Sequence, residues 1–321
     1  MPFSNGNFVA SGDRHEEAGN RSAIALIGTP AFAADMAVKA PPPPPAPVYS
    51  WTGWYVGGNV GYSWGNANTD IASNATIISS ANLPGFGFTN PPVTFADSAT
   101  QRLQGIIGGG QIGYNYPISP QWVLGFETDI QASGERGSNT FTTPFSGQAC
   151  VAVNLESPPS CNLEFGGFAP VNGTAVTSYE AKIDWFGTVR GRLGVLLNDG
   201  LLLYGTGGLA YGRVGVSGNF NVNAAAPFFV FGPSTSTFSQ SKTNIGFAAG
   251  GGLEGRLSPW LPPNWTWKLE YLYIDLGSLD TSTSFAVASN NPFFSPLTGT
   301  LTAHTHFTDN IVRVGLNYQF H

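Results

Sequence analysis

From His306 to Phe320 the chain alternates with a period of two. One set of positions reads His306, Thr308, Asn310, Val312, Val314, Leu316, Tyr318, Phe320, and the other reads Phe307, Asp309, Ile311, Arg313, Gly315, Asn317, Gln319. Successive side chains of a strand point to opposite faces, so the closing residues present Val, Leu, Tyr and Phe to one side and Arg, Gly, Asn and Gln to the other. A half-buried strand of a soluble protein alternates as well. Length and the terminal aromatics separate the two cases, because a tilted strand needs about 9–11 residues to cross a bilayer and ends in an aromatic girdle. One such strand constrains little; eight constrain the fold.

Seven more segments follow the same rule. Trp54–Trp64 sets Trp54, Val56, Val60, Tyr62 and Trp64 against Tyr55, Gly57, Asn59 and Gly61. Gly105–Tyr116 sets Ile106, Ile112, Tyr114 and Tyr116 against Gln111 and Asn115, and Gln121–Gln131 sets Trp122, Leu124, Phe126 and Ile130 against Glu127, Asp129 and Gln131. In Tyr179–Leu196, Ile183, Trp185, Val189, Leu193 and Val195 oppose Lys182, Asp184, Thr188, Arg190 and Arg192. Asn198-Asp199-Gly200 is a tight-turn signal leading into Leu201–Val216, whose glycines blur its two faces and leave Arg213 unassigned. Thr243–Leu257 sets Ile245, Phe247, Ala249 and Leu253 against Asn244, Glu254 and Arg256, and Trp265–Leu276 sets Trp267, Leu269, Tyr271 and Tyr273 against Lys268 and Glu270. The expected girdle is Trp54, Tyr62, Trp64, Tyr114, Tyr116, Trp122, Trp267, Tyr271, Tyr273, Tyr318 and Phe320.

Short connections alternate with long ones, the long ones being Gly65–Gln104, Ala132–Ser178, Ser217–Lys242 and Gly277–His304. Structureless connections of this length are uncommon inside compact domains, whereas outer-membrane barrels pair short periplasmic turns with long external loops. Backbone groups in hydrocarbon must all be paired, so the sheet must close. The expectation is an all-β fold, an eight-stranded antiparallel transmembrane β-barrel with four long external loops. Low charge (10%), 13% aromatics and 42 glycines fit that reading and also fit a secreted all-β domain. A net charge of −6 with 13 scattered Lys and Arg argues against a nucleic-acid partner, which needs a clustered basic face.

Ahead of the strands, Ala31 and Ala33 form a small-residue cleavage site, so residues 1–33 read as an export signal. Residues 1–21 carry acids where such a signal is basic. Residues 34–50 hold a run of five prolines, read as a stiff periplasmic spacer of about 20 Å, and the barrel is expected over 51–321. Cys150 and Cys161 lie in a polar stretch, where an oxidising compartment would close them into a clip; two free thiols are the alternative.

On this register the inward positions carry Glu127, Asp129, Asp184, Glu254, Glu270 and Asp309 with Lys182, Arg190, Arg192, Arg256, Lys268 and Arg313. An eight-stranded barrel is just wide enough inside for side chains to fill. Unpaired charges there are very costly, and paired, hydrogen-bonded ones are tolerable. Two readings stay open: a salt-bridged plug that ties strands together, or a narrow charged channel with a gate. No catalytic set stands out, since none of His15, His304, His306 and His321 sits in a nucleophile motif. His304 and His306 have the spacing to share a metal, but solvated surface residues are the commoner case. Gly108–Gly110 and Gly250–Gly252 have no following helix to make a phosphate loop. The expectation is a non-enzymatic chain with no cofactor and no metal.

The opening segment Trp51-Thr52-Gly53-Trp54-Tyr55-Val56-Gly57-Gly58-Asn59-Val60-Gly61-Tyr62 and the closing one from Asp309 to Phe320 resemble the first and last strands of the outer-membrane immunogenic proteins of α-proteobacteria, a family of opacity-like eight-stranded barrels often labelled porins. The Ala-Phe-Ala-Ala-Asp site and the Pro-rich start are similar too, so the resemblance covers about residues 31–320. It implies residence in the outer membrane, surface exposure, outer-membrane lipid as surroundings, recognition of the last strand by the barrel-assembly machinery, and modest pore activity. His321 follows Phe320 and departs from the family's aromatic terminus. Envelope structure with surface contact is the leading functional expectation. A diffusion porin, and an adhesin meeting a surface ligand through the loops, are the alternatives.

Overall fold

Strands that cross hydrocarbon must pair every backbone group, so a set of them has no open edge and closes into a barrel. The computed structural model describes residues 50–76, 78–79, 88–89, 92–150, 153–154, 160–161, 168–198, 200–226, 229–257, 264–288 and 297–320. Eight long strands form a closed antiparallel barrel: β1 (Gly53–Thr76), β2 (Val93–Pro117), β3 (Trp122–Cys150), β4 (Phe168–Asn198), β5 (Leu201–Ala226), β6 (Phe229–Arg256), β7 (Trp265–Val287) and β8 (Leu297–Gln319). Each pairs with its neighbours in sequence, and β1 closes on β8. Following paired residues once round, from Trp64 through Asn310, Tyr273, Ala249, Gly207, Gly191, Phe126 and Tyr114, returns to β1 at Trp54. That stagger is what tilts the strands, by about 35–45° in barrels of this kind.

The expected long connections are largely strand. Strands run 23 to 31 residues, where about 9–11 suffice to cross a membrane, so the barrel continues well past the lipid. Two of those outer connections also carry two-residue ladders, Ile78–Ser79 with Phe88–Thr89 and Val153–Asn154 with Ser160–Cys161.

Strand β1 explains the extension. On its outer side Trp54, Val56, Val60, Tyr62 and Trp64 give way to Asn66, Asn68, Asp70 and Asn74, all exposed. On its inner side the polar Asn59 and Ser63 give way to Ala67, Ile71 and Ala75, interleaved with the small Thr69 and Ser73, all buried. The barrel is therefore built as two zones. The first is apolar outside and polar inside, as lipid demands; the second reverses both faces, as water demands. The inside of the second zone is a continuous apolar core that includes Leu103, Ile183, Val214, Phe220, Leu279 and Phe307.

Bulges mark the junction. Asp184 on β4 and Leu276 on β7 are each an extra residue in the ladder, and β3 breaks register opposite β4 between Ala132 and Glu135. A bulge shifts the side-chain phase by one, sending every later residue to the opposite face. Trp185 on β4 and Tyr273 on β7 sit beside these bulges and join the outer aromatic ring, with Trp185 against Tyr211 at 6.2 Å and Tyr273 against Phe247 at 6.0 Å. At the other end Trp54, Tyr114 and Phe126 pack edge to face, as do Trp265, Tyr318 and Phe320. The predicted cleavage site at Ala31 and Ala33 lies outside the described residues.

Candidate functional site: a charge cluster inside the barrel

Strands β3, β4, β6, β7 and β8 send long charged side chains inward within the membrane zone, while facing positions of β1, β2 and β5 are small or uncharged. Gly113 on β2 shows why: a Cβ there would lie 2.3 Å from the Tyr55 hydroxyl. The small residues leave the centre to eight ionised groups: Glu127, Asp129, Glu254 and Glu270 with Arg190, Arg192, Lys268 and Arg313, all essentially inaccessible to solvent.

Glu127 is the hub. It accepts hydrogen bonds from Arg190 at 2.6 Å, Lys268 at 2.7 Å and the Tyr55 hydroxyl at 2.8 Å, with Arg192 at 3.4 Å and Arg313 at 3.5 Å. Glu270 takes the Nε of Arg313 at 2.7 Å, the Tyr204 hydroxyl at 2.9 Å and an Arg190 nitrogen at 3.1 Å. Asp129 takes Arg313 at 2.8 Å, Arg190 at 2.9 Å and the Thr188 hydroxyl at 2.9 Å. Glu254 takes Arg192 at 2.6 Å, and Thr266 and Asn317 at 2.8 Å. The Arg192 guanidinium also lies 4.0 Å from the centre of the Tyr204 ring, a cation–π contact. Four negative charges meet four positive ones, so the cluster is neutral. Towards the inner end Asn59 donates to Gln111, and Gln111 donates to Asn317 at 2.8 Å.

Charge-assisted bonds in a low dielectric are strong, and removing one partner leaves an uncompensated buried ion. Each carboxylate is engaged by at least one cation, while Asp129 Oδ1, Arg192 Nε and one terminal nitrogen of Arg313 have no hydrogen-bond partner.

Not every predicted lumen residue belongs to this set. Lys182 and Asp184 are on the outer surface, paired with each other at 2.8 Å and half-exposed. The bulge at Asp184 changes the phase of β4, so Lys182 leaves the face that Arg190 and Arg192 occupy. Arg213, unassigned from sequence, is on the same outer surface, 3.7 Å from Asp184. Arg256 is at the inner end of β6, where its N–H donates to the Gly200 carbonyl at 2.9 Å. Asp309 faces inward and is buried, but stands apart from the cluster. The girdle residues named from sequence face outward, with Trp54, Tyr62, Trp64, Tyr116, Trp122, Tyr271 and Phe320 the most exposed. The side chains of Cys150 and Cys161 fall outside the described residues, and the clip with them. His304 bonds Asp280 at 2.6 Å and His306 bonds Ser278 at 3.0 Å, on the outer surface of the second zone.

Sequence reasoning missed Tyr55, Tyr204, Thr188, Thr266 and Asn317 as members of the network. Their inward phase was readable on β1 and β8, but nothing in a neutral side chain announces which ion it will meet.

The sequence matches the family described as outer membrane protein beta-barrel domain over residues 23–320. The 31 kDa outer-membrane immunogenic protein of Brucella melitensis is 33% identical over 310 residues, covering 93% of this chain and 97% of that protein. The 22 kDa outer membrane protein of Rhizobium leguminosarum is 34% identical over 151 residues, covering 46% of this chain and 60% of that protein. Among solved structures, the attachment invasion locus protein Ail of Yersinia pestis is 14% identical with a TM-score of 0.24, over 78% of this chain and 98% of that one.

Proposed function

Because this chain belongs to the outer membrane protein β-barrel family and is an outer-membrane protein, we propose that it is a sealed, non-enzymatic barrel that anchors a rigid surface projection in the envelope. One observation carries this reading: two different fillings occupy the lumen in series. The neutral eight-ion cluster fills the membrane zone, and the apolar core that includes Leu103, Leu279 and Phe307 fills the zone beyond it. A hydrated solute crossing the barrel would have to dissolve in both.

The projection follows from strand length. A barrel with its own apolar core keeps its shape outside lipid, and it holds the outer loops away from the membrane surface. The outer face of that projection is rich in Asn, Ser and Thr, with residues such as Asn68, Thr100, Ser282 and Thr302 exposed. Such a face suits a hydrated, sugar-rich surrounding and contact with surface ligands through hydrogen bonds. Insertion is assigned to the barrel-assembly machinery acting on β8.

A liposome-swelling assay tests the reading. Vesicles carrying the protein are expected to swell no faster in a small neutral sugar than empty vesicles. Swelling at a rate that scales with protein content would replace the sealed barrel with a diffusion porin.

A further inference from the structure

Above the eight-ion cluster stands a second set of acids that the seal does not use. Glu135 on β3 and Asp309 on β8 are 0% and 1% exposed. Among the described residues no Lys, Arg or His lies within ion-pair distance of either, in contrast to the four carboxylates below. Apolar side chains lie around them: Phe307 and Ile311 precede and follow Asp309 on β8, and Leu103 and Ile107 face inward on β2, the strand beside Glu135. Two ionised carboxylates in such surroundings have no compensation for lost water.

The backbone brings them together. Gly105 and Gly65 carry no side chain at the two positions that separate β3 from β8 across β2 and β1. A Cβ on Gly105 would lie 2.6 Å from the Glu135 nitrogen, and one on Gly65 would lie 2.9 Å from the Asp309 Oδ1. Gly105 and Gly65 thus leave room for both carboxyls over the same stretch of the inner wall, beside Ser63 of β1. Ser63 pairs with Gly105 on one side and Ile311 on the other, is wholly buried, and its Oγ has no hydrogen-bond partner.

The oxygens of the pair divide neatly. Glu135 Oε1 accepts the Ser133 hydroxyl at 3.0 Å, and Asp309 Oδ1 accepts the Asn310 N–H at 2.9 Å. Glu135 Oε2 and Asp309 Oδ2 are left, each without a partner. Two carboxyls that meet in a buried site without a cation do not both ionise, and the usual resolution is one proton between them. A divalent cation is the other neutralising ligand. Calcium takes 6–8 oxygens and magnesium keeps several waters, whereas this buried set offers two unengaged carboxylate oxygens and one hydroxyl.

We propose that Glu135 and Asp309 form a proton-binding site, a carboxyl pair that shares a proton and ties β3 to β8 across the lumen where the two zones meet. The groups that face the pair are Ser63 from β1, Ser133 from β3 and the Asn310 N–H from β8, none of them charged. The proposal rests on the sealed-barrel reading, since a water-filled lumen would hydrate both carboxylates and remove the need for the proton.

Infrared spectroscopy of the protein folded in lipid vesicles tests it. At neutral pH, where ordinary Asp and Glu are ionised, the spectrum is expected to retain the carbonyl stretch of a protonated carboxyl. Labelling aspartate or glutamate alone with carbon-13 identifies its owner without any substitution. Glu135→Gln and Asp309→Asn are each expected to shift the band, because the remaining carboxyl then meets an amide in place of the group with which it shares the proton; a band unmoved by both substitutions overturns the pair. A barrel that proves sealed in swelling assays but shows no protonated-carboxyl band overturns this inference alone. Heat stability that rises with added calcium chloride in the wild type, and not in Glu135→Gln, also overturns it, because the pair would then hold a cation. Rapid swelling instead overturns the sealed barrel itself.

Discussion

Arg313 and Glu270 are direct cross-strand partners in the β7–β8 ladder, and the arginine Nε donates to the carboxylate at 2.7 Å. The same guanidinium reaches Asp129 on β3 at 2.8 Å. One side chain thus ties neighbouring strands and spans the lumen. Arg313→Ala is expected to leave Glu270 and Asp129 undercompensated and to cost about 3–5 kcal/mol, read by urea unfolding in lipid vesicles. Arg313→Lys restores a charge without the planar fork and should recover part of that loss.

The apolar core beyond the membrane makes a contrasting prediction. Phe307 is 0% exposed to solvent or lipid, whereas Val314 on the same strand is 53% exposed on the lipid side. Phe307→Ala is expected to destabilise the barrel by about 3–5 kcal/mol through lost burial and the cavity left behind. Val314→Ala leaves no internal cavity and should cost well under half as much in the same unfolding assay.

Lys182 and Asp184 carry the reverse expectation. Their ion pair is 2.8 Å long but 37% and 32% exposed, and such surface pairs are worth about 0–1 kcal/mol. Lys182→Ala should leave the unfolding midpoint nearly unchanged. A loss comparable to that of Arg313→Ala would place Lys182 in the lumen after all.

The difference between Lys182 and Arg190 is also where the sequence stops being legible. Alternation in the membrane zone reveals eight strands, their order and the inward phase of Glu127, Asp129, Arg190, Arg192, Glu254, Lys268, Glu270 and Arg313, because lipid enforces one hydropathy on every outward position. It fails at Asp184, since a single inserted residue swaps faces and leaves no mark in composition. It also fails beyond Trp64. There the outer face turns to Asn and the inner face to Ala and Ile, and a strand in water reads like a loop when its polar side is weighed alone. Glu135 is hidden for that reason, in a segment whose polar residues read as an external loop.

Topology is open to protease shaving of intact cells. Cleavage is expected in the connections between β1 and β2, β3 and β4, β5 and β6, and β7 and β8. The turn at 198–200 is expected to stay intact until the membrane is permeabilised. Cutting at that turn in intact cells would invert the orientation.

Single-channel recording in a planar bilayer tests the seal most directly. On the sealed-barrel reading, four carboxylates held by four cations, followed by a largely apolar filling in which Thr69, Gln101, Tyr179 and Thr305 hydrogen-bond one another, leave a hydrated ion no continuous path. The wild-type protein should therefore add no regular conductance steps to the bare bilayer. Arg313→Ala alone should add little, because the apolar zone still blocks the outer half. Large, regular steps from the wild type would contradict the account and make the eight ions the lining of a selective pore.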